Sequence, residues 1–119
     1  MSHQDKIKDS RMYYWILLSV AIVLEVAGTT SMKLSDGLSR LVPSVLVFVF
    51  YAASFAAFSI ALKKIEVSIA YAIWAGIGTA AIAIIGILYF RESITAIKLI
   101  SIALIVMGVI GLNLGGARH

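Results

Sequence analysis

Away from the ends of the long apolar runs of this chain there is one Asp, Glu, Lys or Arg, and it is Glu25. It lies in the stretch AIVLEVAGTTSMK, from Ala21 to Lys33. A carboxylate near mid-depth in hydrocarbon costs about 2.5–3.5 kcal/mol on insertion scales, and such groups mark ion or substrate paths. Out of water its bare charge is disfavoured, so it holds a proton or a cation, but not both. Helical steps of three and four along the chain from Glu25 reach Leu18, Ala21, Gly28, Thr29 and Met32. Within one turn the neighbours are thus Ala21, Gly28 and Thr29, small enough to leave room for a ligand or for a second helix. Further along, Tyr71, Trp74 and Gly78 share a face, and Phe48, Tyr51, Phe55 and Phe58 form a stripe with Ser54 beside it. A Trp within a span, rather than at its edge, offers a π-face to an organic cation, and Ser54 offers a hydrogen bond. The chemistry these residues suit is competition between a proton and a cation for one acid.

The elements that must position them are apolar helices. The 119 residues are 61% hydrophobic and 13% charged, with mean hydropathy +1.02, whereas a soluble domain carries roughly 25% charged residues. Four runs, at about 12–32, 43–62, 68–90 and 94–114, each suffice to cross a ~30 Å hydrocarbon core, which takes about 20 helical residues. Continuous runs, rather than alternation in segments of about 10, argue against a β-barrel. The expected fold is an all-α membrane protein with four transmembrane helices, a polar tail over 1–11 and a short tail over 115–119. The first run reads as a span and not as a cleavable signal, because it is long, contains Glu25 and lacks an A-x-A-type site. Tyr13, Tyr14 and Trp15 open it as an interfacial belt, and Trp15 also counts among the pocket candidates. Asp36-Gly37 signals a turn. Gly76 and Gly78 loosen the third helix. In the fourth, Ser101, Gly108 and Gly111 provide small side chains for helix–helix packing.

No catalytic constellation competes with this reading. There is no cysteine, both histidines lie in the tails, and no GxSxG, HExxH or Walker A pattern occurs. The expectation is a protein that is no enzyme and uses no cofactor or metal. The net charge of +4 sits at run edges and in tails, where it meets lipid headgroups rather than nucleic acid. Four short helices hardly enclose and seal a cavity, so a solute path forms more readily between two copies. The N-terminal tail, second connection and C-terminal tail hold Lys6, Lys8, Arg11, Lys63, Lys64 and Arg118, against Lys33, Arg40, Arg91 and Lys98 in the other two connections. So small a positive-inside bias lets copies insert either way up, and two opposed copies make the inverted pair that alternating access uses. With no nucleotide site, an ion gradient remains the power source. A proton entering from outside would displace a cation outward, and aromatic walls of Tyr51, Tyr71 and Trp74 would favour flat, hydrophobic cations over metal ions. A reading of another class is a non-transporting membrane assembly subunit whose Glu25 pairs with a basic residue of a partner.

The motifs resemble a known family. AIVLEVAGTTSMKLSDG, the Ser54-Phe55 pair and AYAIWAGIGT from Ala70 to Thr79 are similar to those of the small multidrug resistance transporters, over about Tyr14 to Asn113. The resemblance implies an antiparallel, dual-topology dimer of four-helix chains in a bacterial inner membrane, exchanging protons for organic cations. It implies that Glu25 binds both proton and substrate, that Trp74 and Tyr71 line the pocket with Tyr51, and that the fourth helix is the main dimerisation helix. The GTT that follows Glu25-Val26-Ala27 resembles the quaternary-ammonium branch and lacks the Trp of the guanidinium branch. Ala56, where the multidrug pattern often carries Trp, thins the aromatic lining. The opening YYWILL and SIALKKIEVSIAYAIW resemble paired members, polyamine exporters among them, so the partner is a second copy or a related chain.

Overall fold

The computed structural model describes the backbone of residues 3–116 and the side chains of residues 11–115. Four helices follow one another: α1 (His3–Leu34), α2 (Leu41–Ala61), α3 (Val67–Leu88) and α4 (Ala96–Gly116). No strand occurs among the described residues. Each helix contains a segment long and apolar enough to cross a membrane: Arg11–Leu34, Leu41–Ala61, Val67–Leu88 and Ala96–Gly115. The all-α, four-span class is as expected.

The helix ends differ in places from the expected limits. α1 starts at His3, well inside the segment read as a polar tail. HQDKIKDSR has no Gly or Pro, so nothing halts a helix that the apolar run behind it has already nucleated. α4 starts at Ala96, where the Thr95 hydroxyl accepts the Lys98 N–H at 3.1 Å and caps the first turn. It continues through Gly116, past the expected tail boundary. The side chains of His3 and Arg118, and residues 117–119, fall outside the described residues.

The expected Asp36-Gly37 turn is present and takes an unusual path. Asp36, Gly37 and Leu38 are all left-handed, with φ of 50°, 72° and 68°, a region that non-glycine residues seldom occupy. Ser35, fully buried, holds this run together. Its hydroxyl donates to the Met32 carbonyl at 2.7 Å and accepts the Leu38 N–H at 3.0 Å. Its carbonyl accepts the Ser39 and Arg40 N–H groups at 2.9 and 3.1 Å. The short side chain thus replaces the ladder bonds that the turn breaks.

α1 packs along α2 and also touches α3. The buried cluster joins Leu18, Ala21 and Ile22 of α1 to Ala57, Phe58 and Ala61 of α2, with Ile65 and Ala70 at the edge of α3. α4 rests on α3 alone among the major contacts. One close approach is at Gly76, where a β-carbon would stand 2.6 Å from Val109 Cγ2. In lipid, apolar side chains gain little by leaving the tails for one another, so backbone approach at small residues is what joins helices. Most apolar side chains of α4 are exposed, and none of its apolar window is fully buried.

Candidate functional site

Glu25 is half-buried on α1, facing α2 and α3. One oxygen is tied down. Thr29, one turn on, donates its hydroxyl to Glu25 Oε1 at 2.9 Å. That uses the only hydrogen on Thr29 Oγ1, so the 2.6 Å contact between Thr29 Oγ1 and the Tyr51 hydroxyl is a donation from Tyr51. The result is a relay from α2 through α1 to the acid: Tyr51 to Thr29 to Glu25. Gly28 makes it fit, since a β-carbon there would lie 2.6 Å from both Cδ1 and Cε1 of Tyr51.

The other oxygen, Oε2, points towards α3 at Gly78, 3.4 Å from where a β-carbon would be. Among the described residues no donor reaches Oε2 and no basic side chain pairs with Glu25. The acid opens into a cleft of about 770 Å³ between the α1–α3 bundle and the first half of α4. Tyr51, Phe55, Tyr71, Trp74 and Gly78 line it with Glu25.

The aromatic wall is centred on Trp74. Phe58 meets its indole edge-on, with centroids 4.2 Å apart at 85°. Phe55 and Tyr71 stand at 5.9 and 6.4 Å, both tilted, and Tyr51 stacks on Phe55 at 6.0 Å and 25°. Phe58 is buried and locks the indole from behind. Tyr71 and Phe55 remain exposed at 64% and 57%, leaving their rings available to whatever enters. A cation between this wall and Oε2 would meet an anion on one side and π-faces on the other.

Several sequence candidates do other work. Ser54 does not donate into the cleft. It is fully buried, and its hydroxyl bonds the Ala21 carbonyl at 2.7 Å, clamping α2 to α1. Ala21 is likewise fully buried in that clamp, and Gly28 is covered by the Tyr51 ring. Trp15 stands apart from Glu25, lining an outward groove with Met12, Ile16 and Val23 on α1. Gly76 is the seat of Val109 rather than a point of slack, and Gly78 makes room for Glu25 and Trp74. Ser101, read as a packing residue, lines the cleft. Gly108 and Gly111 have open space where a β-carbon would be. Phe48 is exposed at 67% at the outer end of its stripe.

Sequence reasoning did not find Glu92 and Lys98 as cleft residues. They read as a polar corner, and no spacing rule brings the turn after α3 back against Gly86. Among the described residues no group of acids and histidines could hold a metal ion.

A family model described as Small Multidrug Resistance protein matches residues 13–105. The chain is 49% identical over 100 residues to the "Uncharacterized membrane protein YvaE" of Bacillus subtilis, covering 84% of each chain. It is 45% identical over 100 residues to a "Guanidinium exporter" of Salmonella typhimurium, covering 84% of this chain and 95% of that one. It is 43% identical over 100 residues to the "Nicotine metabolites export pump subunit NepA" of Paenarthrobacter nicotinovorans, covering 84% of this chain and 86% of that one.

Proposed function

Since the chain belongs to the small multidrug resistance family and is a multi-pass membrane transporter, we propose that it is a proton-coupled antiporter that exports lipophilic and quaternary-ammonium cations, with proton and substrate competing for Glu25. The observation that carries this reading is the state of the carboxylate. One oxygen is held by Thr29 while the other, unpaired among the described residues, faces an aromatic cleft. A permanently paired acid could not exchange ligands.

The cycle follows from that arrangement. With the cleft open to the cytoplasm, a cation settles between Oε2 and the Trp74 wall as the proton leaves. With the cleft open to the outside, a proton neutralises the carboxylate, the Coulomb attraction disappears and the cation departs. Thr29 can donate to Oε1 in both states, so the carboxyl keeps its orientation through the exchange. The two faces open in turn when a second chain, inserted the opposite way up, completes the cleft. That second chain is another copy or a related subunit.

Glu25→Gln should abolish proton-driven uptake of tetraphenylphosphonium into inverted vesicles. Undiminished uptake would remove Glu25 from the mechanism. In the wild type, cation affinity should fall as pH falls, because protons then occupy the shared acid. A second reading is guanidinium or polyamine export, guanidinium being favoured by the 45% identical relative of that name; paired operation is favoured by the relative named as a pump subunit. Electrogenic transport currents with guanidinium and with tetraphenylphosphonium, for this chain alone and with a co-expressed related chain, separate these.

A further inference from the structure

An ion pair bridges α3 and α4 at one end of the cleft, and its two members are fixed to different helices. Glu92 belongs with α3. After that helix ends, Arg91 takes a left-handed conformation at φ 58°. The chain turns back, and the Glu92 N–H donates to the Gly86 carbonyl at 2.9 Å. The Glu92 carboxylate lies in the notch that Gly86 leaves, where any β-carbon would overlap Oε1. Lys98 rides on the first turn of α4. Its Nζ stands 3.6 Å from Glu92 Oε1 and also reaches the Ser93 carbonyl at 3.4 Å. Both side chains line the cleft.

The position of the pair is readable from α3. Glu25 abuts Gly78 and Glu92 abuts Gly86. Eight residues at 1.5 Å per residue separate those glycines, so the pair stands about 12 Å along the axis from the acid. That is the end where the chain has left the apolar span Val67–Leu88. A guest moving between Glu25 and water at that edge passes the pair.

The two ends of α4 are held in different ways. Val109 and Ile105 pack against Gly76, a close apolar fit of the kind that joins helices in lipid. Lys98 precedes Val109 by about 16 Å of helix. Lys98, Ser101 and Ile102, the α4 residues that line the cleft, all lie on the early side of that seat. There the ion pair is 31% exposed at Lys98 and 47% at Glu92. Pairs so open to solvent contribute little and weaken with salt. A helix packed at one end and pinned by a weak, polar contact at the other has the form of a hinged strap.

We propose that the Glu92–Lys98 pair is a clasp on the cleft. Closed, it holds the first turns of α4 against α3 and retains the guest. Parted, it lets those turns swing about the Gly76–Val109 seat, and the guest passes. This rests on the reading that a cation at Glu25 occupies the cleft, and it divides the work. Glu25 and the aromatic wall set how tightly a cation binds, and the clasp sets how long it stays.

The test follows tritiated tetraphenylphosphonium leaving the purified full-length protein at fixed pH, chased by excess unlabelled cation, with equilibrium affinity measured alongside. Lys98→Gln should release the cation about twofold to fivefold faster, the effect of one exposed ion pair, with affinity changing less than the rate. The sign is decisive. Lys98 is a positive charge in the same cleft as the guest, so if it acted only by repulsion its removal would slow release. Lys98→Arg should keep the wild-type rate. Glu92→Gln/Lys98→Gln should be no faster than Lys98→Gln alone, since both part the same contact. Raising salt from about 0.01 M to about 1 M, which shortens the screening length about tenfold, should speed release from the wild type more than from Lys98→Gln. If the Glu92 variant fails to fold, the Lys98 series and the salt comparison decide. Slower or unchanged release from Lys98→Gln, or an equal salt response in the two proteins, overturns the clasp. Direct equilibrium binding of the same cation to Glu25→Gln tests the other assignment separately. Undiminished binding there removes Glu25 as the site. Lost binding there, with wild-type release from Lys98→Gln, fells the clasp and leaves the site standing.

Discussion

Adding one methyl group at Gly28 should weaken cation binding without touching the acid. In Gly28→Ala the new β-carbon would lie 2.6 Å from Cδ1 and Cε1 of Tyr51 and 3.4 Å from Phe50 Cβ. Carbon atoms settle at about 3.5–4.0 Å, so the Tyr51 ring must retreat by about 1 Å. Its hydroxyl is 2.6 Å from Thr29 Oγ1, and the same retreat carries it to about 3.6 Å, beyond hydrogen-bond range. Two costs follow. Overpacking against α2 should lower stability by about 1–3 kcal/mol. Loss of the relay's outer bond should cost about 0.5–1.5 kcal/mol in the orientation of Glu25, a drop in cation affinity of up to about tenfold. Tetraphenylphosphonium affinity at fixed pH, with thermal unfolding in detergent alongside, measures both. Tyr51→Phe isolates the second cost, since it keeps the ring and removes the donor. The combination Gly28→Ala/Tyr51→Phe should lose no more affinity than Tyr51→Phe alone, while still losing the stability. Wild-type affinity in Gly28→Ala, or affinity losses that add in the double variant, would refute the relay.

Other outcomes follow from single contacts. Trp74→Ala should reduce affinity for aromatic cations by about 1–2 kcal/mol, the worth of a well-placed π-face, and reduce guanidinium affinity less; matched competition titrations check this. Ser54→Ala leaves the Ala21 carbonyl without its buried donor and should cost about 1–3 kcal/mol of stability, with cation affinity little changed, as thermal unfolding and binding together would reveal. Gly76→Ala should press on Val109 Cγ2 and lower the unfolding temperature, and Val109→Ala in the same chain should recover part of the loss.

The acid was legible because it is alone. In a chain whose other charges sit at run edges and in tails, one carboxylate inside a span has few roles open to it, and Thr29 followed by counting one turn. Trp74 and Tyr71 were legible as neighbours on one face of a helix. What periodicity cannot supply is the rotation of one helix against another. Ser54 and Phe55 are adjacent on α2, and either could have faced the acid. The bond from Ser54 to the Ala21 carbonyl sets the rotation, burying Ser54 and turning Phe55 into the cleft. Gly76 shows the same limit: a glycine reads as slack until the neighbour that fills its notch is known. Glu92 was hidden more deeply, because its place depends on a left-handed residue and a backbone bond across the end of α3.

The isolation of α4 has an evolutionary consequence. Within the chain it rests on α3 alone among the major contacts, and its outer face is exposed, whereas the residues that hold Glu25 are fixed by mutual contact. Mutations can therefore accumulate on that face without disturbing ion exchange. If that face carries a subunit contact, two daughters of a gene duplication are free to diverge there until each fits the other better than itself. An obligate pair can arise in this way with no change to the chemistry either inherits.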